Sequence, residues 1–259
     1  MTRTCHDLGY EVHCDNLAAE LWTLAATIDQ VDPALPVPTC GTWTMRELVE
    51  HTGHVHRWAT AIVGKLSPRR LNRQAADWPL PAAPDGYAGW LAGGGQALTE
   101  VLLAADPDAP VWAWGADQHV RFWARRMLHE TTVHRCDAQL ALGVPTPVDP
   151  AVAVDGIDEF LDNLPHAANF APGVRELRGN GERLRFGSPD RHEVWTVTLA
   201  EDGFTWSHTM RGGPVDAAVM ADANDLYLLM WGRVALSDPR VEVAGDPDLL
   251  RHWVRYSAV

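Results

Sequence analysis

The sequence predicts an α+β chain, with a helix bundle over about residues 1–170 and a small α+β domain over about 171–259. Three observations predict it. Apolar stripes of helical period and helix start and stop signals recur up to about residue 164. From Leu184 the pattern changes to the two-residue alternation of strands. No run approaches the roughly 18 apolar residues of a membrane-spanning helix.

The first helix is expected to begin near Asp15 as N-cap, with Leu17, Leu21, Leu24 and Ile28 on one stripe. It ends before Pro33, and residues 33–38 read as an extended connector. Ahead of it, Cys5-His6 and His13-Cys14 form a mirrored pair that lacks zinc-knuckle spacing and reads as part of a mobile terminus. The second helix, about 45–63, has the strongest start signal. Thr44 and Glu47 make a capping box, and Trp43 and Leu48 occupy the staple positions. It carries His51, His54, His56 and Trp58. A polar, Pro-rich loop over 67–84 holds Arg69, Arg70 and Arg73. A third helix spans about 86–104, where Gly93, Gly94 and Gly95 weaken the helix and point to close packing.

The fourth helix, about 118–142, ends at Gly143 with Pro145 beyond. It carries Arg121, Arg125, Arg126, His129, Glu130, His134, Arg135 and Asp137. A shorter helix covers about 150–164. Strands follow at Leu184–Phe186, Glu193–Leu199 and Phe204–His208, as an antiparallel meander. A helix at about 222–232, a short strand at Val241–Val243 and a last helix with Pro247 at N1 complete the chain.

Composition narrows the function. A net charge of -13 argues against nucleic acid and anionic membranes as partners, but not against a small anionic substrate. The opening residues have no apolar signal-peptide core, so the expected compartment is the cytoplasm, where the four cysteines stay reduced.

Glu130 and His134 are four apart and project from one helical face, so carboxylate and imidazole can bind one ion. His51, on the second helix, would supply a third ligand across the bundle. Two imidazoles and a carboxylate leave room for water or substrate, as in catalytic zinc sites, although iron or nickel suits the same donors. The plain alternative is a solvated helical pair, because Glu-x-x-x-His is a weak motif and differs from the His-Glu-x-x-His protease pattern. His54 and His129 compete for ligand roles, and His56 is expected to face away.

The segments Val37–His51 and Trp123–Ala138, together with Asp225–Arg233 and Val243–Asp246, resemble mycothiol-dependent maleylpyruvate isomerase-like proteins. The likeness covers about residues 15–257, and Gly41-Thr42 stands where that family usually has Pro-Gly. The resemblance implies a DinB-like four-helix bundle followed by an α+β domain. It also implies a divalent metal, usually zinc, on His51, Glu130 and His134, with mycothiol as the thiol cosubstrate. The activity it implies is thiol S-transfer or cis–trans isomerisation of a small unsaturated or electrophilic substrate through a zinc-bound thiolate. A non-catalytic metal- or ligand-binding or regulatory protein on the same fold is the rival reading.

Among secondary candidates, Arg233 is read either as a carboxylate-binding catalytic residue or as a cation at its helix's C-terminus. Arg126 is a second catalytic candidate, and one of Arg125 and Arg126 is expected in a structural salt bridge. Cys40 and Cys136 read as small packing residues, and His192 and His208 as surface positions on strands.

Overall fold

A computed structural model describes residues 8–72, 78–208 and 213–259. Its contacts divide the chain into two compact units, Leu8–Pro147 and Val148–Val259. Arg73, Cys5 and His6 lie outside the described residues.

The first unit is a four-helix bundle of α1 (Tyr10–Ile28), α2 (Met45–Gly64), α3 (Tyr87–Ala104) and α4 (Val120–Ala141). Helix α1 begins five residues before the expected Asp15. Tyr10 Oη donates to the Leu102 carbonyl at 2.5 Å, and His13 and Cys14 are buried, extending the Leu17 stripe by one turn. The mobile-terminus expectation therefore fails for His13 and Cys14. Both arms of the α2 capping box form: the Thr44 side chain receives the Glu47 amide, and Glu47 Oε2 accepts from the Thr44 amide at 2.7 Å. Two of the three α3 glycines mark close approach. A β-carbon at Gly94 would lie 2.3 Å from Arg57 Nη1, and one at Gly95 would lie 2.4 Å from Leu21 Cδ2. Helix α4 is buried on most sides, and Gly143, at φ 68°, closes it in the left-handed conformation expected of a glycine at C′.

The second unit contains α5 (Pro150–Asn163), β1 (Arg183–Ser188), β2 (Glu193–Ala200), β3 (Gly203–His208), β4 (Ala217–Met220), α6 (Ala223–Met230), β5 (Glu242–Gly245) and α7 (Pro247–Tyr256). The strands form one sheet in the order β3-β2-β1-β4-β5. Strands β1, β2 and β3 make the expected antiparallel meander. Strand β4 was not anticipated. It pairs parallel to β1 and antiparallel to β5, which turns the meander into a mixed sheet. Helix α5, expected with the bundle, belongs instead with this unit, where it packs against α6. The division thus falls at residue 147 rather than near 170.

Among the described residues, no helix is long and apolar enough to cross a membrane.

Candidate metal centre

Two helices build the site. The capping box sets where α2 begins and so places His51 on its second turn, while α4 presents Glu130 and His134 one turn apart. Glu130 Oε1 lies between the imidazoles, 3.0 Å from His51 Nε2 and 3.4 Å from His134 Nε2. One ligand atom from each residue falls within 4.8 Å of the others, close enough to share an ion. The His51 and Glu130 side chains are 26% and 21% exposed, so the cluster can be reached from solvent. The His51 and His134 rings meet edge to face at 5.0 Å, and the Trp43 ring stands 4.8 Å from His51.

The charges fit this geometry. Burial alone would raise the Glu130 carboxyl, but hydrogen bonds from His134 and His51 and the charge of Arg126 hold it well below the usual carboxylate range. Burial would lower His134, yet hydrogen bonds to Asp137, Cys40 and Glu130 carry it well above the ordinary imidazole value. Both shifts favour the charged forms, a carboxylate at Glu130 and an imidazolium at His134.

A layer behind these three residues was missed by sequence reasoning. His134 Nδ1 lies 2.9 Å from Asp137 Oδ2. Cys40 Sγ donates to the same oxygen at 3.2 Å, and Thr39 Oγ1 donates to Oδ1 at 2.6 Å. Cys40 is therefore more than a packing residue. The signal available was the i, i+3 spacing of His134 and Asp137 on α4. Cys40, His134 and Asp137 also offer atoms within 4.8 Å of one another, but Asp137 is fully buried and both of its oxygens already accept hydrogen bonds.

The other candidates separate cleanly. His54 Nε2 is held at 2.9 Å by the Trp78 carbonyl, and fully buried His56 is held at 2.9 Å by Thr131 Oγ1. His129 is fully buried on α4 and belongs to neither group of possible ligands among the described residues. Arg126 makes a salt bridge, with Nη2 3.5 Å from Glu130 Oε2. Arg233 Nη1 donates to the Trp231 carbonyl at 2.5 Å, as a helix-end cation does. Cys136 is fully buried, in keeping with a packing role. His192 is exposed in a turn at φ 60°. His208 departs from its expected surface role: its Nε2 lies 2.9 Å from Oδ1 of the buried Asp158.

No curated protein matches the chain. Among solved structures it is similar to a mycothiol-dependent maleylpyruvate isomerase at 13% identity, with a TM-score of 0.60 over 94% of this chain and 96% of that one. A histidine-to-alanine variant of the same enzyme matches with a TM-score of 0.59 at the same identity and coverage. At such identity the likeness is one of fold. The model of the mycothiol maleylpyruvate isomerase N-terminal domain matches residues 14–139, and that of the corresponding C-terminal domain matches residues 151–252. The two matches together span most of the sequence, and the chain belongs to the mycothiol maleylpyruvate isomerase family.

Proposed function

We propose that this chain is a metal- and mycothiol-dependent enzyme, either a thiol S-transferase or a cis–trans isomerase, acting on a small unsaturated or electrophilic substrate. The observation that carries the reading is the convergence of His51, Glu130 and His134 at a solvent-reachable point. Two imidazole nitrogens and one carboxylate oxygen suit zinc and leave a coordination position open. When bound, zinc would favour the thiolate form of a thiol occupying that position.

The protein's own residues would then act as follows. His51, Glu130 and His134 hold the ion. Arg126 neutralises Glu130 and turns Oε1 toward the two imidazoles. Trp43 shields one side of His51 from water. A thiol bound beside these residues could serve as the nucleophile for isomerisation or for S-conjugation, and the residues present suit both.

Elemental analysis tests the reading. The purified chain is expected to carry about one zinc, the count for a single three-ligand catalytic site, and His134→Ala to lose it. The zinc-loaded chain is expected to turn over maleylpyruvate or another activated alkene only when mycothiol is supplied. No metal in either protein after zinc is supplied would remove the mechanism and leave a non-catalytic ligand-binding protein.

A further inference from the structure

We propose that Asp137 is a positioning residue that aims His134 at the metal, and that Thr39 and Cys40 in turn position Asp137. The inference rests on the reading of His134 as a metal ligand. It goes further by naming what holds that ligand in place.

The geometry starts from His134, whose two ring nitrogens face opposite ways. Nε2 looks toward Glu130 Oε1 at 3.4 Å, and Nδ1 toward Asp137 Oδ2 at 2.9 Å. A carboxylate behind the distal nitrogen keeps a proton there and leaves the other nitrogen to bind metal, while stopping rotation of the ring. A carboxylate does this well only if it is itself held. Asp137 is fully buried, Oδ1 accepts from Thr39 Oγ1 at 2.6 Å, and Oδ2 also accepts from Cys40 Sγ at 3.2 Å.

Both donors come from a single 3-10 turn, Pro38–Cys40, immediately ahead of α2. The turn is tied down at both ends: the Cys40 amide donates to the Val37 carbonyl at 2.9 Å, and the Trp43 amide to the Cys40 carbonyl at 3.3 Å. Gly41, at φ 68°, reverses the chain between the turn and the helix, a conformation that glycine adopts without strain. The segment that leads into the helix bearing His51 therefore also braces the ligand on α4. The two halves of the site are set together rather than helix by helix.

The test uses the full chain in two states. In the metal-free protein, proton and 15N NMR should show a His134 Nδ1–H signal slowed in exchange with solvent. Asp137→Ala should abolish that signal, and Thr39→Val should weaken it. In the zinc-titrated protein, competition with a chromophoric chelator should show zinc affinity falling about 10- to 100-fold in Asp137→Ala. Asp137→Asn, which can still accept from Nδ1–H, should recover part of the loss. The cobalt-substituted protein should report a changed ligand field in Asp137→Ala but not in Cys40→Ser, whose hydroxyl still donates. If Asp137→Ala does not fold, Thr39→Val carries the test, with a loss of several-fold expected. An unchanged His134 signal together with unchanged zinc affinity in the folded variants would overturn the proposal. Loss of the His134 signal in a chain that binds no zinc at all would leave Asp137 as the residue that orients His134 and would reject the metal reading instead.

Discussion

His56 links the stability of the bundle to pH. Thr131 gives its own proton to the Met127 carbonyl, so at Thr131 Oγ1 the His56 ring must act as donor through Nε2–H. Full burial pushes the imidazole down to about 3. The unfolded chain takes up a proton at this residue near pH 6.5, and the folded chain does so only near 3. The contribution is therefore fully present above about pH 6.5 and is lost as the pH falls toward 3, by up to about 1.4 kcal/mol per pH unit. Urea denaturation of the metal-free protein at pH 7 and pH 5 should show this loss, and His56→Gln should reduce it by the equivalent of one proton. Equal slopes in the two proteins would mean that His56 is protonated in the fold. Arg126 offers a second check at this scale. It is 4% exposed, and Arg126→Leu removes a buried partner of Glu130, which should cost about 3 kcal/mol in urea unfolding. A variant as stable as the parent would show that the two histidines alone satisfy the carboxylate.

At the scale of elements, α2 shows how much a local signal can carry. Its start was legible because Thr44 and Glu47 satisfy each other's backbone amides without help from the rest of the fold. Thr44→Ala should lower stability by about 1 kcal/mol, and Thr44→Ser should restore most of it, both read by urea unfolding. An unaffected Thr44→Ala would mean that tertiary packing alone sets the end of α2. The start of α1 was less legible. Gly9 caps it without a side-chain hydrogen bond, and its anchor, Tyr10 to the Leu102 carbonyl, joins residues 92 apart. Strand β4 was illegible for a related reason. Ala217–Met220 is four apolar residues with no polar–apolar alternation in the sequence, and it is a strand because it lies beside β1 and β5.

At the scale of the molecule, His51, Glu130 and His134, together with Arg126, Asp137, Thr39 and Cys40, all fall within Leu8–Pro147. That segment expressed alone should fold and bind zinc with an affinity close to that of the full chain, as isothermal titration would show. A large loss would show that zinc binding needs residues outside that segment.

The sequence by itself determined what depends on neighbours within about one helical turn: the helix periods, the α2 cap, the glycine stop of α4, and Glu130 and His134 on one face. It could also nominate His51, but it left His54 and His129 as rivals. Only the tertiary structure shows which of them lies beside Glu130. It gave His54 to the Trp78 carbonyl, buried His129 and set His51 next to the carboxylate. It also placed Asp137 behind His134, braced by Thr39 from 98 residues away, and moved α5 into the second unit. The physical reason is the same in each case. Periodicity says which residues share a face, whereas the rotation of one packed helix against another says which faces meet. That rotation is set by side chains far apart in sequence.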